Sequence, residues 1–263
     1  MQTPSPVAEP RSHSFGRGWA WTRGGFDLFN RARGVSVAMV LCWLVVGLLL
    51  EQIPAGGLLS NLLYLVWMAG WMMAARRAEQ EGRVEFSDLF AGFRSAFTPL
   101  MLGGLALTVA VVLIMQVSLM LLGSWGMGDL LGQPPTSLTP DEARAVLMAM
   151  LVGLLLAVPL LMAVTFAPAL ILFERVSVPQ AMRLSFRACL RNMAPFLLWS
   201  ILACLLLLLG GMLMLIGLLV VMPALNYSIY VAYRDIFGAP VMDAPSAPSE
   251  PPSPPGPQGH FDA

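Results

Sequence analysis

Long apolar runs alternate with short polar connections along most of the chain. They cover residues 35–50, 58–75, 100–122, 145–173 and 196–232. A helix needs about 20 predominantly apolar residues to cross a hydrocarbon core of about 30 Å. The pattern therefore predicts an all-α, polytopic bundle of transmembrane helices, in which the first two runs form a hairpin around the Pro54-containing connection.

The number of spans depends on the last run. As a single helix, residues 196–232 would extend about 55 Å at 1.5 Å per residue, nearly twice the thickness of the hydrocarbon core. The pair Gly210 and Gly211 is the natural break, which gives two spans near 196–209 and 212–233. We expect six spans in total. Five remain the alternative, with the first half of this run re-entrant.

The fourth run has a marked start and two prolines. Thr139 followed by Pro140 and by Glu142 is typical of a helix N-terminus closed by a capping box. Pro159 and Pro168 are expected to kink the helix because each lacks a backbone donor. Neighbouring helices can satisfy the carbonyl groups that such kinks release.

Composition supports a membrane protein and gives no sign of catalysis. The chain of 263 residues is 57% hydrophobic and 11% charged, whereas soluble domains carry about 25% charged residues. A soluble enzyme, a disordered protein and a disulfide scaffold are excluded on this basis. Cys42, Cys189 and Cys204 show no metal-binding spacing, and neither a catalytic motif nor a charged residue in the middle of a span is found. We expect no enzyme activity, no cofactor and no metal.

Charge placement predicts the orientation of the chain. Acids and bases number fifteen each, and all the bases are arginines. With six spans, fourteen arginines lie on one side of the membrane and only Arg144 on the other. The positive-inside rule places these fourteen arginines and both termini in the cytoplasm. The chain is therefore predicted to be an inner-membrane protein of a bacterial cell. The zero net charge predicts no nucleic-acid partner.

Three regions follow from composition. Residues 1–14 and the Pro/Ser-rich residues 239–263 are expected to be disordered tails. Residues 15–238 form a single transmembrane domain.

A short amphipathic segment precedes each of the three predicted hairpins. When Val35, Pro99 and Pro195 are set in register, Phe26, Phe90 and Phe186 all lie nine residues earlier, and Phe29, Phe93 and Cys189 lie six residues earlier. The last segment opens with a second capping-box pattern, from Ser177 to Gln180. The unit is an in-plane helix followed by a hairpin, and whether it is a true repeat stays open.

The sequence offers two candidate contacts, one in the last amphipathic segment and one in the last span. Arg183, Arg187 and Arg191 recur every four residues beside an apolar stripe, and we predict that they contact the phosphates of anionic lipids. Their role in setting topology accounts for them equally well. Asn226 lies deep in the last span and is predicted to form a polar contact between helices.

Three signatures resemble a family of uncharacterised multi-pass inner-membrane proteins from proteobacteria. The resemblance covers about residues 15–238, and a more distant one links the chain to the membrane domain of some glycerophosphodiester phosphodiesterases, whose catalytic domain has no counterpart here. The signatures are residues 88–93, residues 185–192 with Pro195 and Phe196, and residues 233–237. The resemblance implies the membrane class and supplies neither a substrate nor a catalytic residue.

These observations predict a non-catalytic protein that organises the membrane or binds a partner, which is either membrane lipid, another protein or a further copy of the chain. The alternative is a transporter or channel for an apolar or lipid-like substrate, since the predicted spans hold no buried charge.

Overall fold

The computed structural model describes residues 9–124, 139–212 and 216–238, and in these ranges the chain is helical without strands. The all-α prediction is therefore confirmed. The helices are α1 (Arg17–Arg31), α2 (Arg33–Glu51), α3 (Gly56–Gln80), the 3-10 helix η1 (Phe86–Phe90), α4 (Ala91–Ser95), α5 (Phe97–Ser124), α6 (Pro140–Val164), α7 (Ala167–Phe173), α8 (Val178–Arg191), α9 (Met193–Met212) and α10 (Ile216–Phe237).

In the part of the chain that the structure describes, six helical segments are long and apolar enough to cross a membrane: α2, α3, α5, α6 with α7, α9 and α10. This agrees with the six-span prediction and gives three hairpins. The last apolar run divides just after the predicted glycine pair, since α9 ends at Met212 and α10 begins at Ile216. The two helices approach closely here, because a Cβ added to Gly217 would lie 2.6 Å from the Cα of Gly210.

The fourth span begins with the predicted capping box. The hydroxyl of Thr139 accepts a hydrogen bond from the amide of Glu142, and the Glu142 carboxylate accepts one from the amide of Thr139. Pro159 is accommodated inside α6, whereas the helix breaks between α6 and α7, shortly before Pro168. A proline there cannot donate to the carbonyl of Val164, and it disfavours the helical conformation of the residue before it.

The three short segments α1, η1 with α4, and α8 lie together at one end of the bundle, and we call them the collar. The three hairpins form a ring, and each collar segment packs against the second helix of the neighbouring hairpin. In this way η1 and α4 pack against α3, α8 packs against α6 and α7, and α1 packs against α10. The ring is closed where α1, the first of the described helices, packs on α10, the last of them. The helix-and-hairpin pattern read from the sequence is thus present in the fold.

Equivalent close contacts recur at the three positions of this ring. A Cβ added to Gly25 would overlap the carbonyl oxygen of Ala224 in α10, and a Cβ added to Gly92 would overlap that of Val66 in α3. At the third position the hydroxyl of Ser185 donates a hydrogen bond of 2.6 Å to the carbonyl of Met162. Small residues therefore let each collar helix contact the backbone of α3, α6 or α10. We call these three helices, together with α7, the inner helices.

Most buried residues lie at the collar end. In α3 and α10 the buried side chains fall mainly in the half nearest the collar, and α7 is buried over nearly its whole length. In α5 the buried residues stop at Leu107, although the helix continues to Ser124. The far half of the bundle exposes apolar side chains, as lipid-facing helices do.

Residues 9–14 fall in the range for which composition predicts a disordered tail, yet they lie against α8 and α10. The amide of Arg11 donates to the carbonyl of Ile236, and the amide of His13 donates to the side chain of Asn192, each at 2.9 Å. These bonds use backbone groups, which composition cannot reveal. Residues 1–8 and 239–263, the rest of the predicted tails, lie outside the described residues.

Candidate functional site at the collar

Acidic side chains near the collar end of the inner helices are engaged by tyrosines of α10. Tyr230 donates a hydrogen bond of 3.0 Å to Glu79 of α3, and Tyr233 donates one of 3.0 Å to Glu174, just after α7. Arg234 also pairs with Glu79. These contacts join the ends of α3, α7 and α10 to one another, so both carboxylates are used inside the protein.

A second polar centre joins α1 to α10. The carboxylate of Asp235, whose side chain is 15% exposed, accepts two hydrogen bonds from the guanidinium of Arg17 at 2.6 and 2.7 Å. It also accepts one from the indole N–H of the buried Trp21 at 2.9 Å. Hydrogen bonding and charge from Asp235 raise the pKa of Arg17 above its ordinary value. The ring is therefore closed by charge-assisted bonds as well as by close packing.

A third polar centre holds η1 on α3. Asp88 is 2% exposed, accepts a 2.9 Å hydrogen bond from the amide of Glu85 and lies 3.0 Å from the guanidinium of Arg77. Arg77 also pairs with the carboxylate of Glu85 at 2.8 Å. Burial raises the pKa of Asp88, and the bond from Glu85 and the charge of Arg77 oppose that rise.

Other arginines of the collar end also bind groups of the protein itself. Arg31 donates to the carbonyl of Ala78 at the end of α3, and Arg94 donates to the carbonyl of Ser87. The guanidinium of Arg76 lies 4.8 Å from the centre of the Phe173 ring, which is a cation–π contact.

The three arginines predicted to contact lipid lie on the outward face of α8. The opposite face is buried and consists of Ala181, Ser185, Ala188 and Cys189. Arg191 donates to the carbonyl of Pro10 and lies 3.5 Å from the carboxylate of Glu9. Within the residues that the structure describes, Arg183 and Arg187 are exposed and form neither a hydrogen bond nor an ion pair.

The start of α8 agrees only in part with its predicted capping box. The helix begins at Val178 with Ser177 in an extended conformation, as an N-cap residue should be. The Ser177 side chain, however, forms no capping hydrogen bond.

Asn226 is placed differently from its prediction. Its amide donates to the carbonyl of Met222, one turn earlier in α10, and the described part of the chain offers no hydrogen bond from it to another helix. The contacts between helices come from its neighbours instead. Tyr227 and Ser36 of α2 share a 2.8 Å hydrogen bond, and the indole of Trp199 in α9 donates to Ser228 at 2.7 Å.

Sequence reasoning missed Ser36, Ser185 and Asn192 as structural groups. Each is fully buried. The available signal is a small polar residue near the start of a predicted span or on the apolar face of a collar helix, where only a bonded partner makes burial tolerable.

One curated relative was found. Over 254 residues, covering 87% of this chain and 93% of the relative, the chain is 29% identical to a probable inner membrane protein of Burkholderia thailandensis. No protein-family model matches the chain, and no solved structure does. Nothing in these comparisons supports the resemblance to glycerophosphodiester phosphodiesterases. The relative and the six apolar helices together show an integral inner-membrane protein.

Proposed function

We propose that the protein is a non-catalytic organiser of the inner membrane that gathers anionic lipids around its collar. The observation that carries this proposal is the exposure of Arg183 and Arg187 on α8 without a partner among the described residues. A guanidinium at the surface of a membrane is attracted to lipid phosphates.

Several other arginines of the collar end, in contrast, have partners within the protein. Arg17, Arg31, Arg76, Arg77 and Arg94 all bind acids, carbonyl groups or an aromatic ring of the protein itself. A role in setting topology requires only that arginines lie on the correct side, and arginines bound within the protein serve it equally well. The outward face of α8 therefore supports an additional role toward the lipid.

The orientation belongs to the same proposal. The observed spans leave Arg144 near the start of α6 and the fourteen other arginines at the collar end or in its connections. The collar and both termini then face the cytoplasm, whose leaflet carries anionic lipids. A reporter that is active only in the periplasm, fused after Gly238, should give no signal, whereas the same reporter fused after Ser124 should be active. The reverse result would refute the orientation.

The break in the fourth span is the feature that would favour a transporter, since discontinuous helices line many transport sites. Here two backbone groups at the break have a partner within the bundle. Ser185 accepts a hydrogen bond from the amide of Phe166 at 3.0 Å while it donates to the carbonyl of Met162. A structural role thus accounts for the break, and membrane organisation is the function we favour.

The lipid contact can be tested with the full-length protein in vesicles of phosphatidylcholine and phosphatidylglycerol. Electron spin resonance measures how strongly the protein surface selects spin-labelled phosphatidylglycerol over spin-labelled phosphatidylcholine. The double variant Arg183→Gln/Arg187→Gln should lower this selectivity.

Arg83→Gln is the matched control. It removes the same charge at the collar end, but Arg83 is already paired with Glu81 at 2.9 Å. An equal loss per arginine in the control, or no loss in the double variant, would refute the assignment to α8.

A further inference from the structure

The outward face of α1 combines exposed aromatic side chains with an arginine. Phe15, in the turn before the helix, is 51% exposed and Trp19 is 58% exposed. Arg23 follows one turn later and is exposed, and Phe26 is half-buried beyond it. Because residues spaced by three or four lie on the same side of a helix, these four side chains form one strip.

This strip cannot rotate inward, because the opposite face of α1 is in backbone contact with its neighbours. A Cβ added to Gly18 would lie 2.9 Å from the backbone nitrogen of Trp199 in α9 and would overlap the carbonyl oxygen of Pro195. A Cβ added to Gly25 would overlap the carbonyl oxygen of Ala224 in α10. Trp21 is held on the same inner side by Asp235.

The position of Arg23 matches that of Arg183 on α8. Arg23 lies twelve residues before Val35, and Arg183 lies twelve before Pro195. In both helices the residue two positions later makes the contact with the backbone of an inner helix: Gly25 with Ala224, and Ser185 with Met162. The middle unit has Ser87 at the corresponding position.

Arg23 also resembles Arg183 in its surroundings. It forms neither a hydrogen bond nor an ion pair with any residue that the structure describes. The helix α1, short and at the collar end of the bundle, carries an exposed tryptophan beside an arginine. This combination is typical of a helix lying in the headgroup region.

We infer that the strip on α1, with Trp19 in the interface and Arg23 on a phosphate, is a second contact for anionic phospholipid. The inference rests on the proposed function and extends it from α8 to α1. Two of the three collar positions then hold an anionic headgroup, and the middle position does not.

The test uses the full-length protein in phosphatidylcholine vesicles that contain brominated lipid, which quenches nearby tryptophan emission. Subtracting the emission of a Trp19→Phe variant from that of the wild type isolates Trp19 from the six other tryptophans. Brominated phosphatidylglycerol should quench this difference more strongly than the same mole fraction of brominated phosphatidylcholine. Arg23→Gln, measured against its own Trp19→Phe partner, should reduce that preference by about fivefold.

Arg23→Lys keeps the charge and should retain the preference, while Arg183→Gln should leave it unchanged at Trp19. Equal quenching by the two brominated lipids, or an unchanged preference in Arg23→Gln, would overturn the inference. The inference would also be overturned if neither brominated lipid quenches the emission of Trp19. This face would then contact another copy of the chain or the aqueous phase instead of lipid.

The two proposals fail separately. If Arg183→Gln/Arg187→Gln lowers the overall selectivity for phosphatidylglycerol and Arg23→Gln has no effect at Trp19, only the α1 contact is wrong. If both tests are negative, the lipid function of the collar is wrong as well.

Discussion

The two ends of the bundle are held together differently. At the collar end, glycine contacts join backbone to backbone, and the polar centres at Asp235 and Asp88 connect distant parts of the chain. At the far end, α5 has no buried residue beyond Leu107, and Gly47 of α2 has open space around it. Buried side chains and polar contacts between distant parts of the chain are therefore concentrated where the three collar segments meet the bundle. The far end buries fewer side chains and is joined by close packing such as that of Gly210 with Gly217.

The largest difference between the ends should appear at glycines. Gly25→Leu would force a side chain into the backbone of α10 and should destabilise the protein by about 3 kcal/mol or more. Gly47→Leu, at a site with nothing within 4 Å, should leave stability unchanged or slightly raise it. Equilibrium unfolding in mixed micelles measures both, and similar losses would contradict the contrast between the ends.

Removing the Asp235 carboxylate should have the next largest effect. Asp235→Ala leaves the buried indole N–H of Trp21 without a partner, and an expected loss of about 2 kcal/mol follows. The control is Asp141→Ala, which removes a side chain that is 90% exposed and pairs with Arg144 at 3.5 Å. That change should alter stability by no more than about 0.5 kcal/mol in the same unfolding experiment.

Serine hydroxyls give a third, smaller contrast. Ser185→Ala deprives the amide of Phe166 of its acceptor at the break in the fourth span and should cost about 1–2 kcal/mol. Ser118→Ala in the far half of α5 removes a hydroxyl that, among the described residues, is bonded to the carbonyl of Ile114, one turn earlier in the same helix, and to no other group. A loss in the second variant as large as in the first would show that the hydroxyl at the break has no special role.

The smallest effect concerns pH. Because burial raises the pKa of Asp88 above its unfolded value, this group contributes most stability when protonated and loses that contribution as the pH rises through its folded pKa. Asp88→Asn cannot titrate. The wild type should therefore gain stability relative to Asp88→Asn as the pH is lowered from about 7 to about 4. If the stability of the wild type relative to Asp88→Asn stays constant or falls as the pH is lowered over this range, the raised pKa of Asp88 is excluded.

The hydrophobic pattern predicts most of this architecture because the bilayer imposes a length on every span. The six helices, the division of the last run near Gly210 and the capping box at Thr139 all follow from local residues. The break before Pro168 follows from the proline, but the sequence does not tell whether a given proline breaks or is tolerated, as Pro159 is. That outcome depends on Ser185, which reaches the break from another helix.

The candidate site was predictable in its charges and not in its contacts. The outward arginines of α8 follow from helical spacing, since they recur every four residues. The strip on α1 is less evident, because the inner face of this helix includes Gly18 and Gly25, which carry no hydrophobic signal. Asn226 shows the same limit: its depth in the span is apparent from the sequence, but the choice between Met222 and another helix is made by packing.

The closure of the ring by α1 on α10 has a consequence for biosynthesis. Among the described helices, α1 is synthesised first and α10 last, so the face of α1 that packs on α10, with Trp21, stays uncovered until α10 has been made. The η1–α4 and α8 segments, in contrast, emerge after the hairpins that receive them. The collar therefore closes only after the α9–α10 hairpin has been inserted, and a nascent chain released before α10 is made leaves this face of α1 exposed.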